Sequence, residues 1–229
     1  ATGSLLTSAD VPITTTATNN IGLGSGAVDS ITTGDHNVGI GVDSLTAVTS
    51  GGHNVGVGRN TLKATTTATY NTAVGDTALD VNTTGSDNVG VGADALGQNT
   101  EGGSNVAIGA YALDANTTAN SNTAVGASSL SANTTGATNS ALGSASLNAN
   151  TTGSNNVALG RASGTDAVAN VGSSSNYIVL GNNSHTNANI KIDWTVTSDL
   201  RDKTEIEDVP HGLDFVNQIT PIKYKFKKS

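Results

Sequence analysis

The sequence predicts an all-β protein built as a parallel β-solenoid of nine 17-residue coils, and three observations support this fold class. A pentad of Asn, a usually β-branched residue, a small residue, an aliphatic residue and Gly recurs nine times from Asn20 to Gly160 without insertion. Only 3% of the residues are aromatic, which excludes a thick core of large side chains. A fixed period is typical of repeats that each form one coil and complete their core with their neighbours.

The predicted repeat domain spans residues 14–164 and follows an N-terminal linker at residues 1–13. At about 4.8 Å per coil, nine coils would form a rod of roughly 43 Å. Disorder is the alternative for a chain so poor in aromatic and charged residues. We favour the solenoid because a disordered segment needs no fixed period.

Each pentad is predicted to form a short strand. Alternation places Val106 and Ile108 on one face and Asn105 and Ala107 on the other. We expect the aliphatic face to point inward, so that two short strands per coil enclose a thin core together with a recurring Leu. The Leu residues are Leu45, Leu62, Leu79, Leu96, Leu113, Leu130 and Leu147.

The first and last residues of the pentad have separate expected roles. The Gly should form a corner with positive φ, a conformation that residues with a Cβ adopt at a cost. The Asn residues should stack as a structural ladder in which each amide bonds to the next. The ladder residues are Asn37, Asn54, Asn71, Asn88, Asn105, Asn122, Asn139 and Asn156.

The middle residue of the pentad is always Gly or Ala. This restriction is interpreted as close approach by another copy of the chain, which predicts an oligomer around a central axis. The alternative is that small residues relieve crowding within the coil.

Two further registers suggest possible sites. Segments such as Asn82–Gly85 and Asn133–Gly136 are interpreted as loops, although their stacked Thr residues could instead order water as an ice-binding face. His36 and His53 occupy one register and should stack one coil apart. On a trimer they could make a metal site, but two His without clustered carboxylates are more often exposed surface residues, so no metal site is predicted.

Composition and charge argue against several functional classes. The net charge is −8, and seven of the ten Lys and Arg residues lie at or after Lys191. The repeats therefore cannot neutralise a run of phosphates, so neither nucleic acid nor an anionic membrane is an expected partner. There is no apolar run long enough for a membrane-spanning helix, and membrane insertion is not expected. The chain has no Cys and no phosphate-binding loop, and no cofactor is predicted.

The pentads at Asn105–Gly109 and Asn156–Gly160 resemble the head repeat of the YadA-like trimeric adhesins. The resemblance implies a left-handed β-roll and a homotrimer. The period of 17 differs from the family, whose heads commonly use somewhat shorter units.

The period breaks after Gly164, where a different architecture is expected to begin. Residues 165–197 are predicted to form transition strands that lead to a small mixed C-terminal segment. Within them, Asn176–Gly181 repeats the pentad four residues late.

The stretch Trp194–Lys203, followed by Gly212–Phe215 and Pro221–Tyr224, resembles the start of the intramolecular chaperone domain of peptidase family S74. The resemblance implies that residues 198–229 begin a domain that trimerises phage fibres, assists their folding and is released by self-cleavage. It further implies that Ser198 is the nucleophile, that the bond to Asp199 is cleaved, and that Lys203 is the base. Only 31 residues follow Ser198, so the domain is expected to be truncated.

Taken together, these features predict a trimeric phage tail-fibre or receptor-binding segment that gives mechanical extension and host-surface attachment. Its expected partners are two further copies of itself, other virion tail proteins and a host receptor, either a glycan or a protein. It would be assembled in the host cytoplasm and would act outside the host cell as part of the virion. No enzyme for an external substrate is expected. The alternative function is the head of a bacterial trimeric autotransporter adhesin.

Overall fold

The computed structural model describes residues 17–165 and 170–186, all of them in the first of the two units into which the chain divides, Ala1–Asn187. These residues form ten three-residue strands and no helix. The strands are β1 (Ile21–Leu23), β2 (Val38–Ile40), β3 (Val55–Val57), β4 (Thr72–Val74), β5 (Val89–Val91), β6 (Val106–Ile108), β7 (Thr123–Val125), β8 (Ser140–Leu142), β9 (Val157–Leu159) and β10 (Ile178–Leu180).

All ten strands belong to one parallel sheet in which the spatial order is the chain order. Each residue of β1 to β8 pairs with the residue 17 positions further on, so that Val106 pairs with Thr123. Each repeat is therefore one coil, which confirms the predicted parallel β-solenoid. The left-handed winding stays a prediction.

The sheet continues past Gly164, which corrects the expectation that a different architecture begins there. β10 pairs in parallel with β9, and its residue Ile178 lies beside Val157, 21 positions earlier. The four extra residues of this coil are accommodated before β10, so the pairing register is kept. Asn176–Gly181 is thus a further copy of the pentad within the same sheet.

The predicted corner at the pentad Gly is confirmed. Every such Gly from Gly24 to Gly160 has φ between 116° and 138°. At Gly109, an added Cβ would also lie 2.6 Å from the carbonyl carbon of Gly126 in the next coil. Backbone conformation and close stacking between coils therefore both favour Gly at this position.

The strand buries the face opposite to the predicted one. Ala107 is fully buried, whereas Ile108 is 41% exposed and Val106 is half-buried. The interior is too narrow for two layers of large side chains: a Cβ added at Gly90 would already lie 3.4 Å from Leu79. Because the buried Leu register fills the interior, the strand can place only Gly or Ala there. The interpretation that crowding within the coil selects small residues was the correct one.

The expectation of two strands per coil was also wrong. Each coil among the described residues contains one strand, and the Thr-containing segments of successive coils are joined by hydrogen bonds. The amide of Thr83 donates to the carbonyl of Thr100 at 2.9 Å, and the Thr83 hydroxyl donates to the same oxygen at 2.9 Å. The segments interpreted as loops therefore form a regular wall of the coil.

Candidate functional site: the outer face of the sheet

The inward Ala and Gly residues leave the aliphatic residues of the strands on the outside. We define the aliphatic ridge as the first and third residues of β1 to β10. Seven of the ten first positions and all ten third positions are Ile, Leu or Val. The other first positions are Thr72, Thr123 and Ser140. The ridge carries no charged residue along its whole length.

Much of the ridge is open to solvent, and exposure rises to 73% at Ile178. Near β7 to β10 it contains a shallow apolar depression of about 300 Å³, lined by residues that include Ser140, Leu142, Leu159 and Leu180. The depression lies where the short side chains of Thr123 and Ser140 replace an aliphatic residue. Monomeric soluble proteins rarely expose a continuous apolar patch of more than a few hundred Å². The ridge therefore has the character of an interaction surface.

Behind the ridge, the pentad Asn residues form a column inside the coil. The Asn71 amide nitrogen donates to the Asn54 side-chain oxygen at 3.2 Å and to the Gly85 carbonyl at 2.9 Å. The backbone N–H of Asn71 donates to the same Asn54 oxygen at 3.0 Å. The eight Asn residues from Asn37 to Asn156 are all fully buried. At Asn88 and Asn156, the link to the preceding Asn is made through the backbone N–H.

A second Asn column was missed in the sequence. Its members are Asn82, Asn99, Asn116, Asn133 and Asn150, all fully buried. The Asn99 amide donates to the Asn82 side-chain oxygen at 2.8 Å, and this contact recurs along the column at 2.8–3.1 Å. The recurrence of Asn every 17 residues in the Asn-Thr-Thr segments was the available signal. These segments were instead interpreted as loops.

The His register extends into a three-ring stack. His36 and His53 lie parallel with centroids 4.8 Å apart, as predicted, and Tyr70 continues the stack at 4.8 Å. Tyr70 was overlooked although it lies in the same register. Within the described parts of the chain, no group of three His, Cys, Asp or Glu side chains could hold a metal ion.

Burial changes the ionisation of a few carboxyl groups. Desolvation raises the pKa of Asp80 and of Asp114, and nearby Asp94 adds to the increase at both. The Thr18 backbone N–H, which donates to Asp35, lowers the pKa of that carboxyl group. Asp80 and Asp114 lie in one register two coils apart, with Asp94 near both of them.

The candidate catalytic residues Ser198, Asp199 and Lys203 lie outside the described residues. In the described ranges 17–165 and 170–186, no helix is long and apolar enough to cross a membrane.

Comparison with known proteins finds a similarity in the C-terminal part of the chain. A family model described as Peptidase_S74, chaperone of endosialidase, matches residues 198–229. The chain thus combines a β-solenoid with a sequence similar to the chaperone of endosialidase. No curated protein and no solved structure matches the chain.

Proposed function

We propose that this chain is a trimeric tail-fibre or receptor-binding segment of a bacteriophage, in which the solenoid extends the fibre and attaches to the host surface. The observation that carries the proposal is the match to the chaperone of endosialidase at residues 198–229, C-terminal in the sequence to a β-solenoid with an exposed aliphatic ridge. Neither feature is expected in a monomeric enzyme with a pocket.

The ridge supports the trimer. An uncharged aliphatic surface along the sheet can pack against the same surface of two other copies around an axis parallel to the solenoid. Burying a fully exposed Leu, Ile or Val contributes roughly 1.5–3 kcal/mol. The third residue of each strand is a Leu, Ile or Val that is at most 57% exposed, so each contact would contribute part of that free energy. The small-residue register, first interpreted as the trimer contact, is buried inside the coil, so the proposed contact moves to Val106, Ile108 and their equivalents.

The C-terminal segment supports assisted folding. Every sheet pairing joins residues 17 or more positions apart, and each coil completes its core only against its neighbours. Three chains must also meet in the same axial register. A chaperone segment that first brings the three C-termini together would set this register, and coils could then form from that end.

Self-cleavage is part of the proposal. Ser198 is the first residue of the matched region, and we assign it as the nucleophile with Lys203 as its base. A Ser hydroxyl needs such a base because it is a weak nucleophile at its ordinary pKa. The cleaved bond would join Ser198 and Asp199.

The head of a bacterial trimeric adhesin remains the second candidate, because the pentads at Asn105–Gly109 and Asn156–Gly160 resemble those heads. The chaperone-of-endosialidase match favours the phage fibre. The fibre would be assembled in the host cytoplasm and would contact other virion tail proteins and a host receptor.

Sedimentation equilibrium tests the assembly. One chain has a mass of 22.6 kDa, so an intact trimer should have a mass of about 68 kDa, three times that value. Leu142→Asp places a charge on the ridge and should shift the mass toward that of one chain. The control Ala127→Asp adds the same charge at an exposed position outside the ridge and should leave the trimer intact. A parent protein of 22.6 kDa would refute the trimer.

A further inference from the structure

The aromatic stack ends abruptly on the surface of the solenoid. His53 covers one face of the Tyr70 ring, with 9° between the ring planes. One coil further on, the equivalent position is Asp87, and its backbone N–H bonds to the carbonyl of Thr69. An Asp side chain is too short to cover a phenol ring. The second face of Tyr70 is therefore open, and Tyr70 is 58% exposed.

The surroundings of that open face are polar. Asp87 is exposed, and the structure shows no hydrogen bond or ion pair on its carboxylate within the described ranges. Ser104 follows in the same register one coil beyond and is also exposed. An open aromatic face thus adjoins a free carboxylate and a hydroxyl group at successive coil spacings.

We propose that Tyr70, Asp87 and Ser104 form a binding subsite for a neutral glycan. The C–H groups on one face of a pyranose ring carry partial positive charge and complement the negative face of an aromatic ring. The Asp87 carboxylate accepts hydrogen bonds from two sugar hydroxyls, and charge-assisted bonds of this kind are stronger than neutral ones. The sugar takes the place that the next ring of the stack would occupy.

Charge selects a neutral ligand over an acidic one. Asp87, Glu101 and Asp35 are acidic, and the three Lys and Arg residues of the described ranges lie in other registers. Two of those cations pair with carboxylates, Arg59 with Asp76 at 2.7 Å and Lys63 with Asp43 at 3.8 Å. A sialic or uronic acid would meet like charge at this subsite without a compensating Lys or Arg.

The subsite deepens the proposed host attachment and rests on that proposal for its biological purpose. A trimer would present three copies, so a weak single-site affinity could become firm attachment to a polymeric surface. The binding measurement itself does not depend on the phage assignment.

Affinity gel electrophoresis of the full chain tests the subsite. Separate gels contain dextran, galactomannan or hydroxyethylcellulose as neutral probes and polysialic acid as the acidic probe. At least one neutral polysaccharide should retard the protein, and polysialic acid should not. Tyr70→Ala and Asp87→Asn should each weaken binding at least tenfold. Tyr111→Ala is the matched control, because Tyr111 is 50% exposed in a different register and should not affect binding.

Each other outcome overturns the subsite. It is wrong if no neutral probe retards the chain, if polysialic acid retards it more strongly, or if Tyr70→Ala and Tyr111→Ala behave alike. Circular dichroism and sedimentation mass of every variant separate loss of the subsite from loss of the fold. If the protein is a trimer but binds no neutral polysaccharide, the subsite is wrong and the proposed fibre is unaffected.

Discussion

The side-chain oxygen of Asn150 is buried without a hydrogen-bond partner, and Val171 occupies the equivalent position in the next coil. Every earlier Asn in this column accepts a bond from the following Asn, as Asn133 does from Asn150 at 2.9 Å. The column therefore ends on an unpaired acceptor because the next coil supplies a methyl group instead of a donor.

Val171→Thr should stabilise the solenoid, because a Thr hydroxyl at this position can donate to Asn150. At the other end of the column, one coil before Asn82, the equivalent position is occupied by Thr65, which is fully buried. Pairing a buried acceptor is expected to gain about 1 kcal/mol and raise the melting temperature. The control Val171→Ala removes two methyl groups and leaves the acceptor unpaired, so it should lower the melting temperature. If Val171→Thr melts no higher than the parent, the unpaired oxygen costs nothing.

Asn139→Ala should be strongly destabilising. It removes the donor to the Asn122 side-chain oxygen and to the Gly153 carbonyl, and it removes the acceptor for the Asn156 backbone N–H. Each unpaired buried group costs about 1–3 kcal/mol. Asn148→Ala, at a half-buried position whose side chain makes no hydrogen bond within the described residues, is the control and should cost much less in denaturant unfolding. Equal losses in the two variants would contradict a structural role for the ladder.

Gly109→Ala should destabilise the coil more than Gly103→Ala does. At Gly109 the φ of 134° is unfavourable for Ala, and the added Cβ meets the Gly126 backbone at 2.6 Å. At Gly103 no positive φ is required, and the nearest contact is 3.0 Å from the Ser86 carbonyl. Thermal unfolding followed by circular dichroism compares the pair. Similar melting temperatures of the two variants would contradict a requirement for Gly at the Gly109 corner.

Asp114→Asn should stabilise the protein at neutral pH. Burial raises the pKa of Asp114 in the folded state, so the folded state binds the proton more tightly than the unfolded state does. Stability from this group is therefore present below the unfolded pKa near 3.8 and is lost as the pH rises through the folded pKa. Melting curves at pH 3 and pH 7 should show an advantage for the variant only at pH 7. The control Asp29→Asn, at an exposed position, should show little difference at either pH.

Self-cleavage should yield fragments of residues 1–198 and 199–229, resolved by intact mass spectrometry. Ser198→Ala removes the proposed nucleophile and should leave the chain whole. Lys203→Ala should slow the reaction, and a higher pH should not rescue it, because the base itself is missing. A chain that stays intact in the parent protein would reject cleavage for this segment.

The 17-residue period, the strand at each pentad and the corner at Gly109 were predictable because they depend on local spacing and on the conformational freedom of Gly. The stacking of His36 on His53 followed from the same period. The second Asn column was equally periodic, but Asn and Thr together are typical of turns, and local propensity does not show which side chains a coil encloses.

The sequence by itself therefore determined the repeat, its strands and the columns that stack from coil to coil, because a constant period places equivalent residues one above another. Only the tertiary structure decided which face of the strand is buried. Alternation separates Ala107 from Ile108 but does not say which one points inward. The width of the coil decides that: Leu113 and its equivalents fill the interior, Ala107 fits beside them, and Ile108 is left on the ridge. The tertiary structure also placed Val171 at the position equivalent to Asn150 in the next coil. After the insertion, the pairing of β9 with β10 determines the register, and the 17-residue period does not.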